Sequence, residues 1–167
     1  RAGDENPVIS VLDLDTLEVL PDSLQGWRQG AVDWLHDNSG FYYSSKPLAG
    51  EVPEGEHHYW HRGWFHRLGT AAEQDLLVAH DDEVKETWNS VSVSEDGRWL
   101  IIQRSLFNKT ELWLQQVGSD ERRALVTGME DQYSATVLND KVYISTDWQA
   151  PNYRVLRTDT AQLGREY

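Results

Sequence analysis

Three short turn sequences recur along the chain, each standing between two runs of alternating apolar residues. They are His-Asp-Asn-Ser-Gly at 36–40, Glu-Asp-Gly at 95–97 and Asn-Asp at 139–140. Asn, Asp and Gly adopt the positive φ of tight hairpins at little cost, so each sequence predicts a hairpin. The turns around Asn38, Asp96 and Asn139 lie 58 and 43 residues apart. After each hairpin come further strand-like runs: 58–68 and 76–79, then 111–117 and 123–126, then 153–158. Four strands per unit at a spacing of about 40–50 residues is the period of a β-propeller. An antiparallel sandwich with a coincidental spacing is the competing architecture. No segment carries a helical period of ordinary length. The expectation is an all-β chain, a partial and therefore open β-propeller of four-stranded antiparallel blades.

The units divide the chain as one propeller fragment over 1–167. Residues 1–24 supply the last two strands of a blade, with runs at 8–14 and 17–20 closed by Pro21-Asp22. Residues 25–82 and 83–129 each supply a whole blade, and 130–167 the first three strands of another. The segment 46–56 carries Pro47, Gly50, Pro53 and Gly55, reads as a loop, and accounts for the longer of the two spacings. A cut ring leaves strand edges without partners, and such edges pair with other chains, so self-association is expected.

Composition narrows the function. The formal net charge is −13, from 28 acidic and 15 basic residues. A field of that sign repels phosphate backbones and argues against nucleic-acid binding. No apolar run approaches the roughly 18 residues of a membrane span, so no membrane contact is expected. The absence of cysteine excludes disulfides, thiolate nucleophiles and cysteine-ligated zinc, and fits a reducing compartment. Cytoplasmic residence is the expectation, with the periplasm as the alternative. The chain starts at Arg1, without a leader-like segment, and reads as a fragment or processed product.

Four of the six histidines, His57, His58, His61 and His66, fall within ten residues. A metal needs three or four ligands converging at about 2.1 Å. On an extended strand rising about 3.3 Å per residue, His57 and His61 stand about 13 Å apart. His57 and His58, like His61 and His66, would point to opposite faces. The expectation is no metal, with the imidazoles packed on or between sheets. Nor is a catalytic constellation visible. There is no Gly-x-Ser-x-Gly nucleophile elbow and no phosphate-cradling glycine motif. The carboxylate runs at 81–83 and 130–131 precede first strands and read as solvated connectors. No catalytic residue and no cofactor are expected in this chain.

The strings themselves then carry a resemblance. "HRGWFHRLGT" at 61–70 resembles the third strand and turn of a propeller blade in the prolyl oligopeptidase family. "VDWLHDNSGFYYS" at 32–44 resembles the first hairpin of that blade, and "VSVSEDGRWLII" at 91–102 the opening hairpin of the next. "QAPNYRVLRTD" at 149–159 is similar to a further family segment in which Pro-Asn-Tyr-Arg opens a strand. The resemblance implies a seven-bladed propeller capping an α/β-hydrolase domain that cleaves short peptides after proline with a Ser-Asp-His triad. That triad belongs to the hydrolase domain, so the implied partners are that domain, in the same parent chain, and short proline-containing peptides. Trp88 and Leu106 align with the apolar lining of an outer substrate pocket; plain packing between blades is the alternative for both. A third lining position aligns near Gln29, where a polar residue stands in place of an aromatic. The function expected is therefore the propeller portion of a prolyl-oligopeptidase-like serine endopeptidase, gating the access of short peptides. The alternatives are a non-enzymatic propeller scaffold for protein partners, or a sister peptidase directed to basic residues or releasing dipeptides.

Overall fold

The structure is a computed structural model and describes residues 7–27 and 32–163. Gln29 lies outside these residues. The described chain is almost entirely β: four antiparallel sheets, and one 3-10 turn at Ala72–Gln74. The first sheet pairs β1 (Ile9–Leu12) with β2 (Val19–Leu24). The second is a four-stranded meander of β3 (Val32–Trp34), β4 (Gly40–Ser45), β5 (Arg62–Arg67) and β6 (Leu76–Ala79). The third repeats that order with β7 (Trp88–Val93), β8 (Trp99–Leu106), β9 (Lys109–Gln116) and β10 (Arg122–Val126). The last has β11 (Tyr133–Leu138), β12 (Lys141–Thr146) and β13 (Arg154–Asp159).

The three signature turns close the first hairpins of the last three sheets. Asn38 and Gly97 take φ of 57° and 70°, and Asn139 and Asp140 take 49° and 59°. Two successive residues at positive φ give the tight turn whose twist matches that of the flanking strands. Strand alternation then sorts side chains to the sheet faces. In β9, Thr110, Leu112 and Leu114 are buried while Lys109, Glu111, Trp113 and Gln115 are less so. β12 does the same with Val142, Ile144 and Thr146. β4 breaks the alternation and is buried at all six positions, because sheets cover it on both sides. Phe41 and Tyr43 pack with Val11 and Leu24 of the first sheet. Tyr42 packs with Val91, Leu100 and Ile102 of the third. A further cluster joins Ile101, Leu112 and Leu114 to Val137, Val142 and Ile144 of the last sheet. The core is thus three apolar layers between four successive sheets.

Two readings of the sequence need correction. β2 runs straight through Pro21 to Leu24, where the sequence suggested the hairpin stopped. Proline is tolerated because the pairing slips there, between Ser10 and Leu12 of β1, so that Pro21 stands opposite no register partner. β5 begins only at Arg62; His57 and His58 lie in a turn, Tyr59 in a bend, and Trp60 in irregular chain after it. Trp60 sits at φ 59°, and its N–H bonds the Lys85 carbonyl at 2.8 Å, which bends the chain before the strand starts.

Candidate functional site

In an antiparallel meander alternate connections share an end. The connections at 46–61, 80–87, 107–108, 127–132 and 147–153 therefore gather at one rim of the molecule. Contacts among these connections and the strand ends stitch that rim together. Lys85 Nζ donates to Glu56 Oε1 at 2.8 Å, and Gly128 N–H to Glu111 Oε1 at 3.1 Å. Gln132 N–H donates to Asp147 Oδ1 at 2.8 Å, and Tyr153 Oη to Gln132 Oε1 at 2.9 Å. Several large apolar groups stay exposed there: Tyr59, Trp88, Phe107 and Tyr153. Phe107 is 88% exposed at φ 50°, a costly backbone for a bulky residue.

Trp88 and Leu106 both belong to this rim. Trp88 opens β7 opposite Ser105, and Leu106 ends β8 opposite Lys109. Side chains alternate along a strand, so this register puts Trp88 and Leu106 on opposite faces of the sheet. They do not form one wall. Trp88 is 45% exposed and stacks on His61, with ring centroids 3.7 Å apart and planes at 21°. Leu106 lines a cavity of about 230 Å³ with Val84, Arg104, Lys109, Glu111 and Met129. Arg104 is neutralised there by Glu111 and by Asp81, whose Oδ2 lies 3.3 Å away. Asp81 corrects the reading of 81–83 as a solvated run. Its side chain is 7% exposed, and it also accepts the N–H groups of Glu83 and Val84.

His66 takes a different place from the one its neighbours suggest. It is wholly buried between the first two sheets, with Nδ1 2.7 Å from Asp75 Oδ1 and Nε2 2.9 Å from Asp22 Oδ1. Asp22 also accepts from Gly69 N–H at 2.6 Å, and the Tyr43 hydroxyl donates to Asp75 Oδ2 at 2.7 Å. Burial pushes the Asp22 carboxyl up, but the bonds from His66 and Gly69 outweigh it and hold the group below the usual carboxylate range. Burial, then the bond to Asp75, pushes the Tyr43 phenol well up. With no path to solvent this cluster is a clasp between sheets, not a reaction centre. Sequence reasoning missed it because Asp22 and His66 stand 44 residues apart. The rings of His57 and His58 lie 3.8 Å apart and tilted by 44°, in a turn of the long loop.

A family model of the prolyl oligopeptidase N-terminal beta-propeller domain matches residues 1–166. The chain belongs to the prolyl oligopeptidase family. It is similar to the prolyl endopeptidase of Elizabethkingia meningoseptica, with 31% identity over 161 residues, 93% of this chain and 22% of that protein. It is also similar to prolyl oligopeptidase A of Amanita bisporigera, with 27% identity over 155 residues, 84% of this chain and 20% of that one. A solved structure from a study of two prolyl endopeptidases and their inter-domain dynamics superposes with a TM-score of 0.89 at 26% identity. It covers 98% of this chain, which in turn covers 24% of it. Prolyl oligopeptidase B of Galerina marginata, bound to a 35mer substrate, shares the fold with a TM-score of 0.81 at 23% identity over 96% of this chain and 25% of that one. The propeller fold expected from the turn spacing is therefore the fold of this chain, which spans about a fifth of its curated relatives.

Proposed function

We propose that this chain is the propeller portion of a proline-directed serine endopeptidase whose α/β-hydrolase domain lies in the rest of the protein. In this reading 1–24 are the last two strands of one blade, 25–82 and 83–129 are whole blades, and 130–167 are three strands of another. The observation that carries the reading is the family match over 1–166, joined to relatives that are themselves prolyl endopeptidases. The rim bearing Trp88 and Leu106 faces the hydrolase domain and admits short extended peptides while excluding folded proteins. Trp88 offers its exposed ring face to an apolar part of the peptide, and Leu106, on the other face of the sheet, shapes a separate small cavity. A closed lid limits bulk solvent around a triad on the hydrolase side and so strengthens the polar contacts there, while the single water that hydrolysis consumes still enters.

A second reading, a sister peptidase of other specificity, draws on the match to Protease 2 of Moraxella lacunata, 25% identical over 94% of this chain. One comparison separates the two: hydrolysis by the full-length protein of a fluorogenic peptide with proline before the reporter, beside an arginine counterpart and a folded protein rich in proline. Cleavage of the proline peptide alone, with no turnover by the 167-residue chain, is expected. Preference for arginine supports the sister peptidase. No cleavage of either by the full-length protein would leave a scaffold and overturn the proposal.

A further inference from the structure

Trp88 starts an edge strand and is nearly half exposed, a position at which an indole ordinarily samples several rotamers. Here one of its faces is already occupied. His61, only 4% exposed, lies flat against it at 3.7 Å. The imidazole is itself fixed through the backbone. The His61 carbonyl accepts from Asn89 Nδ2 at 2.8 Å, and Asn89 is the buried residue next to Trp88. The preceding Trp60 is pinned to Lys85 by its N–H, and its indole Nε1–H donates to Glu56 Oε2 at 2.8 Å. Lys85 in turn binds Glu56, so both ends of this short segment are tied to the connector that leads into β7. The long loop 46–61 thus ends in a mount built around Trp88.

We propose that His61 is a positioning residue that holds the Trp88 indole as a rigid platform, with its outer face presented to an apolar ring or side chain of a bound peptide. The inference rests on the reading of Trp88 as substrate-facing. A platform fixed before binding loses little rotamer freedom when the peptide arrives, which improves affinity without touching the chemical step. Stacking on the free face is an interaction made alike in the ground and transition states, so its loss appears in KM and spares kcat.

The test uses the full-length peptidase with a proline-containing peptide. His61→Ala is expected to raise KM about three- to tenfold with kcat nearly unchanged, in line with the strength of one aromatic contact. His61→Phe keeps a flat ring beneath the indole and is expected to restore KM. Trp88→Ala is expected to raise KM by at least as much, and His61→Ala added to it to change nothing further. Thermal unfolding of each variant separates loss of fold from loss of positioning, since His61→Phe rescues KM only if the ring beneath Trp88 is what matters. If Trp88→Ala raises KM and His61→Ala does not, the positioning role is overturned and Trp88 remains substrate-facing. If Trp88→Ala leaves KM unchanged, the reading of Trp88 itself fails, and the role of His61 with it.

Discussion

His66 shows how much one side chain can hold. Its imidazole bridges two carboxylates that come from different parts of the chain, Nδ1 lying 2.7 Å from Asp75 Oδ1 and Nε2 2.9 Å from Asp22 Oδ1. Removing it strands two carboxylates in a site that excludes water. His66→Ala is expected to destabilise the chain by about 3–5 kcal/mol, read from urea unfolding, the cost of leaving buried carboxylates without their partner. The same cluster contributes to the pH dependence. Asp22 titrates lower in the folded chain than in the unfolded one, so its contribution is complete above the ordinary aspartate pKa of about 3.9 and is lost as pH falls below it. Tyr43 titrates higher when folded, so its contribution holds below about pH 10 and is lost as pH rises beyond that. Asp22→Asn should flatten the acid limb of unfolding free energy against pH, and Tyr43→Phe the alkaline limb. Unchanged limbs would mean the clasp does not carry this stability. The sequence put His66 in a sheet, but its partners come from another sheet and a connector, and no local pattern marks such a contact.

At the scale of the strand, what was legible is what depends on neighbours in sequence. The turns at Asn38, Gly97 and Asn139-Asp140 were readable because positive φ restricts residue type. The start of β5 was not, because a bond from Trp60 to Lys85, 25 residues on, decides it. The same holds for the site: the resemblance pointed to Trp88, and only the fold showed the imidazole beneath it. Close approach between sheets is equally silent in sequence. A Cβ built on Gly63 would lie 3.0 Å from Val91 Cγ2 and 3.2 Å from the Ala79 Cβ, at the seam between the second and third sheets. Gly63→Ala is expected to cost about 1–3 kcal/mol, the scale of overpacking a filled core. Val91→Ala in the same chain should recover part of that, giving a favourable coupling in a double-mutant cycle. At Gly40 the obstacle is the His66 carbonyl oxygen at 2.3 Å, which is backbone, so no side-chain change relieves it. A cycle with no coupling between Gly63 and Val91 would place the seam elsewhere.

For the molecule as a whole, the first and last sheets differ from the middle two. Those have four strands, while the first has two and the last three among the described residues. Exposed apolar side chains collect where strands or neighbours would be. Val8, Leu12, Leu14, Leu17 and Val19 are exposed on and around the first sheet, and Val155 on β13. An apolar cavity of about 540 Å³ opens between β10 and the last sheet, lined by Leu125, Val126, Ile144 and Leu156 among others. Surfaces of this kind drive chains together, and the charge of −13 opposes them only over the screening length. The four sheets thus form an arc of a ring and not a closed module. Sedimentation velocity of the 167-residue chain over a wide concentration range, at low and high salt, tests it most directly. The mass is expected to rise with concentration and to rise further when salt screens the acidic surface. A single 19.2 kDa species under every condition would contradict it.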